Sequence, residues 1–102
     1  PRLWSEWAQL IDAFARHLLE RYGAAEVRTW FFEVWNEPNL GGFWSGTKED
    51  YFRLYETSAR ALAAVDPALR IGGPATSKAN WIAEFIAHCH ARSIPLHFVS
   101  TH

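Results

Sequence analysis

Apolar residues recur at three- and four-residue steps from the start of the chain. Leu3, Trp7, Leu10, Ile11, Phe14 and Leu18 make one stripe on a helix from about Trp4 to Tyr22, and Gly23 ends it, since glycine reaches the left-handed conformation that closes helices. The pattern then changes. Thr29-Trp30-Phe31-Phe32-Glu33-Val34-Trp35 is a nearly continuous apolar and aromatic run, short and β-prone, as expected of a strand covered on both faces. Thr47, with Asp50 three residues on, offers a helix start, and Phe52, Tyr55, Ala59 and Leu62 continue a helical stripe that Asp66-Pro67 closes. Leu69-Arg70-Ile71-Gly72-Gly73-Pro74 reads as a short strand running into a glycine-proline turn. Asn80 can cap a third helix carrying Ile82, Phe85, Ile86 and Cys89, and His97-Phe98-Val99-Ser100 begins another strand.

Helix, strand, helix, strand, helix, strand, joined by short connections, is the order of βαβ units and a parallel sheet, so the fold class is α/β. A unit of about 30 residues repeated eight times gives the roughly 250 residues of a (β/α)8 TIM barrel. Three strands cannot close one, and the chain reads as the central three-eighths of a barrel. The start at Pro1 without Met, and the stop at His102 on a strand-like run, read as cut ends. A doubly wound open sheet shares the same periodicity. The lack of a glycine-rich phosphate loop after the first strand weighs against its nucleotide-binding version.

Composition narrows the partners more than the fold. A formal net charge of -1 over 102 residues, with both signs interspersed, leaves no electrostatic footprint for nucleic acid or an anionic membrane. The single cysteine, Cys89, has no internal disulfide partner, and no apolar stretch within these residues is long enough to span a bilayer or act as a signal segment. Six tryptophans are unusual at this length. Core packing accounts for most such residues, and a sugar-stacking surface is the sharper alternative, above all near Trp30 to Trp44.

In parallel α/β folds functional groups collect at the carboxyl ends of the strands. The first end carries Asn36, Glu37 and Asn39, the second Thr76 and Ser77, the third Ser100, Thr101 and His102, so Glu37 is the only carboxylate among them. A carboxylate beside an amide suits glycoside hydrolysis, in which one group exchanges a proton with the glycosidic oxygen and another holds the sugar 2-hydroxyl. Glu33 is no second member of the pair: four residues of strand place it roughly 13 Å from Glu37, beyond the about 5 to 9.5 Å that glycosidases use. Strand alternation gives Glu33 the inward face of Trp35 and Glu37, where it reads as a hydrogen-bonded structural group. His88-Cys89-His90 implies no metal site, because residues two apart on a helix point to nearly opposite sides. Cys89, on the apolar stripe, reads as a small core residue.

The run from Trp30 to Leu40, with Trp35-Asn36-Glu37-Pro38-Asn39 at its centre, resembles the fourth-strand signature of glycoside hydrolase family 39. Phe43-Trp44, Tyr51-Phe52-Arg53-Leu54-Tyr55, Leu69 through Ala75, and Phe98-Val99-Ser100 followed by His102 match that family's order and spacing over nearly the whole chain. The resemblance implies a partial glycoside hydrolase catalytic domain over residues 1–102, truncated at both ends and covering about strands 4 to 6 of the barrel with their helices. It implies retention of anomeric configuration, with Glu37 as general acid/base, the nucleophile Glu on a strand beyond this chain, and no metal or organic cofactor. Asn36 would bond the 2-hydroxyl in the first subsite and His102 would line the same subsite. Asn39-Leu40 and Phe43-Trp44 look most like the β-xylosidases of the family, acting on xylo-oligosaccharide or related glycosides. The Pro67-Ala68-Leu69-Arg70 stretch and His88-Cys89-His90 are also similar to its α-L-iduronidases, and His97 stands where the xylosidases would have an acidic residue. Another retaining barrel glycosidase and a non-catalytic sugar-binding remnant are the alternatives.

Overall fold

A computed structural model describes residues 2–34, 48–76 and 81–101. The elements follow one another as α1 (Arg2–Tyr22), α2 (Ala24–Val27), β1 (Phe31–Glu33), α3 (Lys48–Val65), β2 (Arg70–Thr76), α4 (Ile82–Ala91) and β3 (Phe98–Thr101). The three strands form one parallel sheet in the order β1-β2-β3. The α/β expectation therefore holds.

Two local expectations need correction. After Gly23, which takes φ 84 and donates its N–H to the Leu19 carbonyl at 2.8 Å, the chain makes the short α2 and a turn before any strand begins. Thr29 Oγ1 donates to the Glu26 carbonyl at 2.6 Å and Trp30 Nε1 to Glu26 Oε2 at 3.3 Å. Those bonds hold Thr29 and Trp30 in the turn, so β1 is only Phe31–Glu33. The second correction concerns Gly72-Gly73-Pro74, which lies within β2 and not in a turn. Both glycines serve close approach: a Cβ at Gly72 would lie 2.2 Å from the Phe98 carbonyl oxygen, and one at Gly73 2.7 Å from the Tyr51 hydroxyl. Pro74 pairs with Ser100 where the β2–β3 register shifts before Thr76, an irregularity of the kind that admits proline in a strand.

All of the described helix packing lies on one face of the sheet. Ile71, 1% exposed, joins Tyr51, Tyr55, Leu62, Phe85 and Cys89 in the core, and Phe32 and Val34 pack against the same cluster. On the opposite face Phe31, 65% exposed, meets Phe98 edge-on at 5.3 Å across Gly72, with the Arg70 guanidinium 5.4 Å over its ring. Glu33 shares that face and is exposed. Among the described residues the strands are thus covered by helices on one side only, whereas the apolar run of β1 suggested cover on both. Sequential strand order with every described helix on one side is singly wound, the arrangement of a barrel wall and not of a doubly wound sheet.

The α3 stripe falls where periodicity puts it, whereas Leu10 and Phe14 on the predicted α1 stripe and Ile86 on the predicted α4 stripe are exposed among the described residues. In α3, Tyr51, Phe52, Leu54, Tyr55, Ser58, Ala59 and Leu62 are buried. Asp66 then stops the helix, its carboxylate accepting from Ala68 N–H at 3.0 Å and from Arg28 Nε at 2.8 Å, bonds that hold its carboxyl below the usual range, the Arg28 bond most. Helix α4 begins at Ile82 after Trp81, which has φ 69 and makes no side-chain cap; Asn80 and Thr47 lie outside the described residues. His97 precedes β3, its N–H donating to the Ile71 carbonyl at 2.8 Å and its Nδ1 accepting from the Ile71 N–H at 3.2 Å.

Candidate active site

Parallel pairing sends the chain out of β1, β2 and β3 at the same edge of the sheet. The three strands run the same way, but Glu33 at the end of β1 pairs with Gly72, level with Phe98 at the start of β3, and β2 and β3 run on to pair Pro74 with Ser100 and Thr76 with Thr101. With strands about 4.8 Å apart, β1 and β3 are separated by about 10 Å across β2. Asn36, Glu37 and His102 lie outside the described residues, as do Trp35, Trp44 and Ser77. In sequence, Glu37 follows three residues after Val34, and His102 directly follows the last residue of β3.

Behind the sheet, the described structure packs aromatic side chains of α3 and α4. The Val34 N–H donates to the Gly72 carbonyl at 3.2 Å, and its carbonyl accepts from the Tyr51 hydroxyl at 2.7 Å. The Tyr51 ring lies 6.0 Å from Trp81 and 6.2 Å from Phe85. One turn along α3, the Tyr55 hydroxyl donates to the Pro95 carbonyl at 2.7 Å, ahead of β3. Burial pushes both phenols well above their ordinary values, so both remain neutral donors. Sequence reasoning placed Tyr55 on the buried stripe but gave Tyr51 no role. The four-residue spacing of two tyrosines on one helix face was the available signal.

The remaining described groups are structural in placement. Glu20, Glu49, Glu56 and Glu84 all lie on helices. Cys89 is 2% exposed in the core, and burial pushes its thiol up to about 11, as befits a packing residue. His88 stacks on Phe52 at 4.9 Å with Nε2 4.0 Å from Glu56, while His90 is exposed. Among the described residues no group of His, Cys, Asp or Glu is arranged to hold a metal ion, and no helix is long and apolar enough to cross a membrane. The four described tryptophans are all engaged in packing. Trp4 lies under Arg53 at 5.0 Å, Trp7 Nε1 donates to Ser58 Oγ at 2.8 Å, Trp30 sits 5.3 Å from Tyr22, and Trp81 rests on Tyr51. A groove of about 690 Å³ lined by Trp4, Arg53, Glu56, Arg60, His88 and Arg92 runs along the helix layer, away from the strand ends.

The profile of Glycosyl hydrolases family 39 matches residues 1–102. A beta-xylosidase of Caldicellulosiruptor saccharolyticus is 54% identical over 103 residues, covering 100% of this chain and 21% of that protein. A beta-xylosidase of Geobacillus stearothermophilus is 50% identical over 105 residues, again 100% of this chain and 21% of the relative. The human alpha-L-iduronidase is 37% identical over 94 residues, 83% of this chain and 14% of its own length. The crystal structure of a monomeric beta-xylosidase from Caulobacter crescentus CB15 superposes with a TM-score of 0.94 at 56% identity, covering 97% of this chain and 20% of that one. The chain therefore spans about a fifth of the length of these beta-xylosidases and 14% of the iduronidase. It shares the mixed α/β structure of enzymes that are TIM barrels, and it belongs to glycosyl hydrolase family 39.

Proposed function

We propose that this chain supplies the acid/base, and part of the first sugar subsite, of a retaining exo-glycosidase of β-xylosidase type. The observation that carries the substrate class is the 54% and 50% identity to two beta-xylosidases over the full chain, against 37% over 83% of it for the human alpha-L-iduronidase. In this reading the segment corresponds to about strands 4 to 6 of the barrel. The parallel pairing supports it, since β1 and β3, which precede Asn36-Glu37 and His102 in sequence, run in the same direction across β2.

The chemistry is a double displacement. Glu37 in its acid form donates a proton to the leaving glycosidic oxygen while a Glu from another part of the protein attacks the anomeric carbon. Glu37, now a carboxylate, takes a proton from the incoming water, which attacks the glycosyl ester from the face the leaving group vacated. Asn36 bonds the sugar 2-hydroxyl, a contact that strengthens as the oxocarbenium-like transition state forms. His102 lines the same subsite.

Glu37→Ala in the complete enzyme tests the assignment. The variant should lose turnover of substrates with poor leaving groups yet still form the covalent intermediate from activated aryl glycosides, and azide should then release a glycosyl azide of retained configuration. A glycosyl azide of inverted configuration, or turnover unchanged by the substitution, would refute it.

A further inference from the structure

Tyr51 lies in the first turns of α3, is 0% exposed, and donates its hydroxyl proton to the carbonyl of Val34 at 2.7 Å. Val34 is thereby held from two elements, because its N–H donates to Gly72 on β2. A strand edge ordinarily leaves its carbonyls to a neighbouring strand. Here a helix side chain reaches the last of them, one residue past the end of β1. Phe52, Trp81 and Phe85 surround the phenol ring with centroids 6.0 to 6.4 Å away. Gly73 leaves room for the oxygen, since a Cβ there would lie 2.7 Å from it. The hydroxyl is aimed and seated, which filling space would not require.

We propose that Tyr51 is a positioning residue for the acid/base: its hydroxyl, seated over Gly73, anchors the Val34 carbonyl and so sets where the chain leaves β1, three residues before Glu37. The proposal rests on the assignment of Glu37 made above. Three residues of backbone reach at most about 10 Å, so the anchored Val34 carbonyl lies within that distance along the chain from Glu37. A misplacement of about 1 Å in a reacting group can cost about a hundredfold in rate.

The test uses the complete enzyme and two xylosides, one with an activated aryl leaving group that needs little protonation and one with an alkyl or sugar leaving group that needs it. Tyr51→Phe should lower kcat/KM about tenfold or more on the second substrate and much less on the first. The ratio of the two rates on one preparation does not depend on how much protein is folded. Gly73→Ala, which crowds the hydroxyl, should change that ratio in the same direction, and should change it little further in a Tyr51→Phe background where the hydroxyl is gone. Equal losses on both substrates, no loss on either, or additive changes in the ratio would show that Tyr51 only packs. Glu37→Ala on the same pair separates the two ideas. If Glu37→Ala lacks the leaving-group dependence, the acid/base assignment falls; if it shows it and Tyr51→Phe does not, only the positioning role falls.

Discussion

Glu56 ties α3 to α4 through charge, and its removal should have a magnitude and a pH dependence set by the geometry. Its side chain is 18% exposed and accepts from Arg92 Nε at 2.8 Å, Arg92 Nη2 at 2.9 Å and Arg60 Nε at 2.9 Å. Arg60 Nη2 continues to the Arg92 carbonyl at 3.0 Å. The Arg92 bond first, with Arg60 and the charge of both guanidiniums, holds the carboxyl down at about 2 from an ordinary 4.5, against partial burial that pushes it up. A displacement of that size corresponds to at most about 3 kcal/mol. The Arg60 and Arg92 side chains are 48% and 56% exposed, so water screens both pairs, and about 1 to 2 kcal/mol is the expected share. Because the folded-state value is depressed, this stability is fully present above 4.5 and is lost as pH falls towards about 2. Amide hydrogen exchange of α4 in the complete enzyme, corrected for intrinsic rates, is the assay. Glu56→Gln should lower the opening free energy of α4 by about 1 to 2 kcal/mol at about pH 7, and the gap to the unsubstituted protein should shrink to less than about half by about pH 3. Arg92→Ala, which removes two bonds, should cost more than Arg60→Ala. Unchanged exchange in Glu56→Gln at neutral pH, or a gap as large at acid pH, would show that the carboxylate charge does not couple the helices.

Asn36→Ala in the complete enzyme should lower kcat/KM, and kcat with it, by at least about tenfold on a xyloside, and should lose almost nothing further on the 2-deoxy analogue; an equal loss on both substrates would remove the 2-hydroxyl contact from its role. The polypeptide Pro1–His102 made alone should release no aryl leaving group beyond a Glu37→Ala control, since Glu20, Glu49, Glu56 and Glu84 all lie on helices and the proposed mechanism takes its nucleophile from another part of the protein. It should also unfold in denaturant with weak cooperativity, because Leu10 at 57%, Phe14 at 50% and Phe31 at 65% exposure leave large apolar surfaces in water. Turnover abolished by Glu37→Ala would overturn the placement of the nucleophile elsewhere.

What the sequence determined by itself was whatever local periodicity or covalent order encodes. The stripes Trp7 to Leu18 and Phe52 to Leu62 specify helices because residues three and four apart share a face whatever lies beyond them. Asp66-Pro67 ends α3 because the stop is a local backbone event. The motif around Asn36 and Glu37 is likewise a matter of order along the chain, and it carried the family. Only the tertiary structure decided the rest. An apolar run such as Thr29–Trp35 looks the same whether its first residues extend or turn, and the bonds from Thr29 and Trp30 to Glu26 made them turn. Gly72-Gly73-Pro74 has turn composition, yet it pairs as strand with its neighbours, and its glycines are there because the Phe98 carbonyl and the Tyr51 hydroxyl come close enough to exclude a Cβ. The gathering of helices on one face, and the reach of Tyr51 from α3 to Val34 seventeen residues earlier, depend on strand order and on contacts between distant segments. No periodicity read along the chain contains those, because it records which residues share a face and not which face of another element they meet.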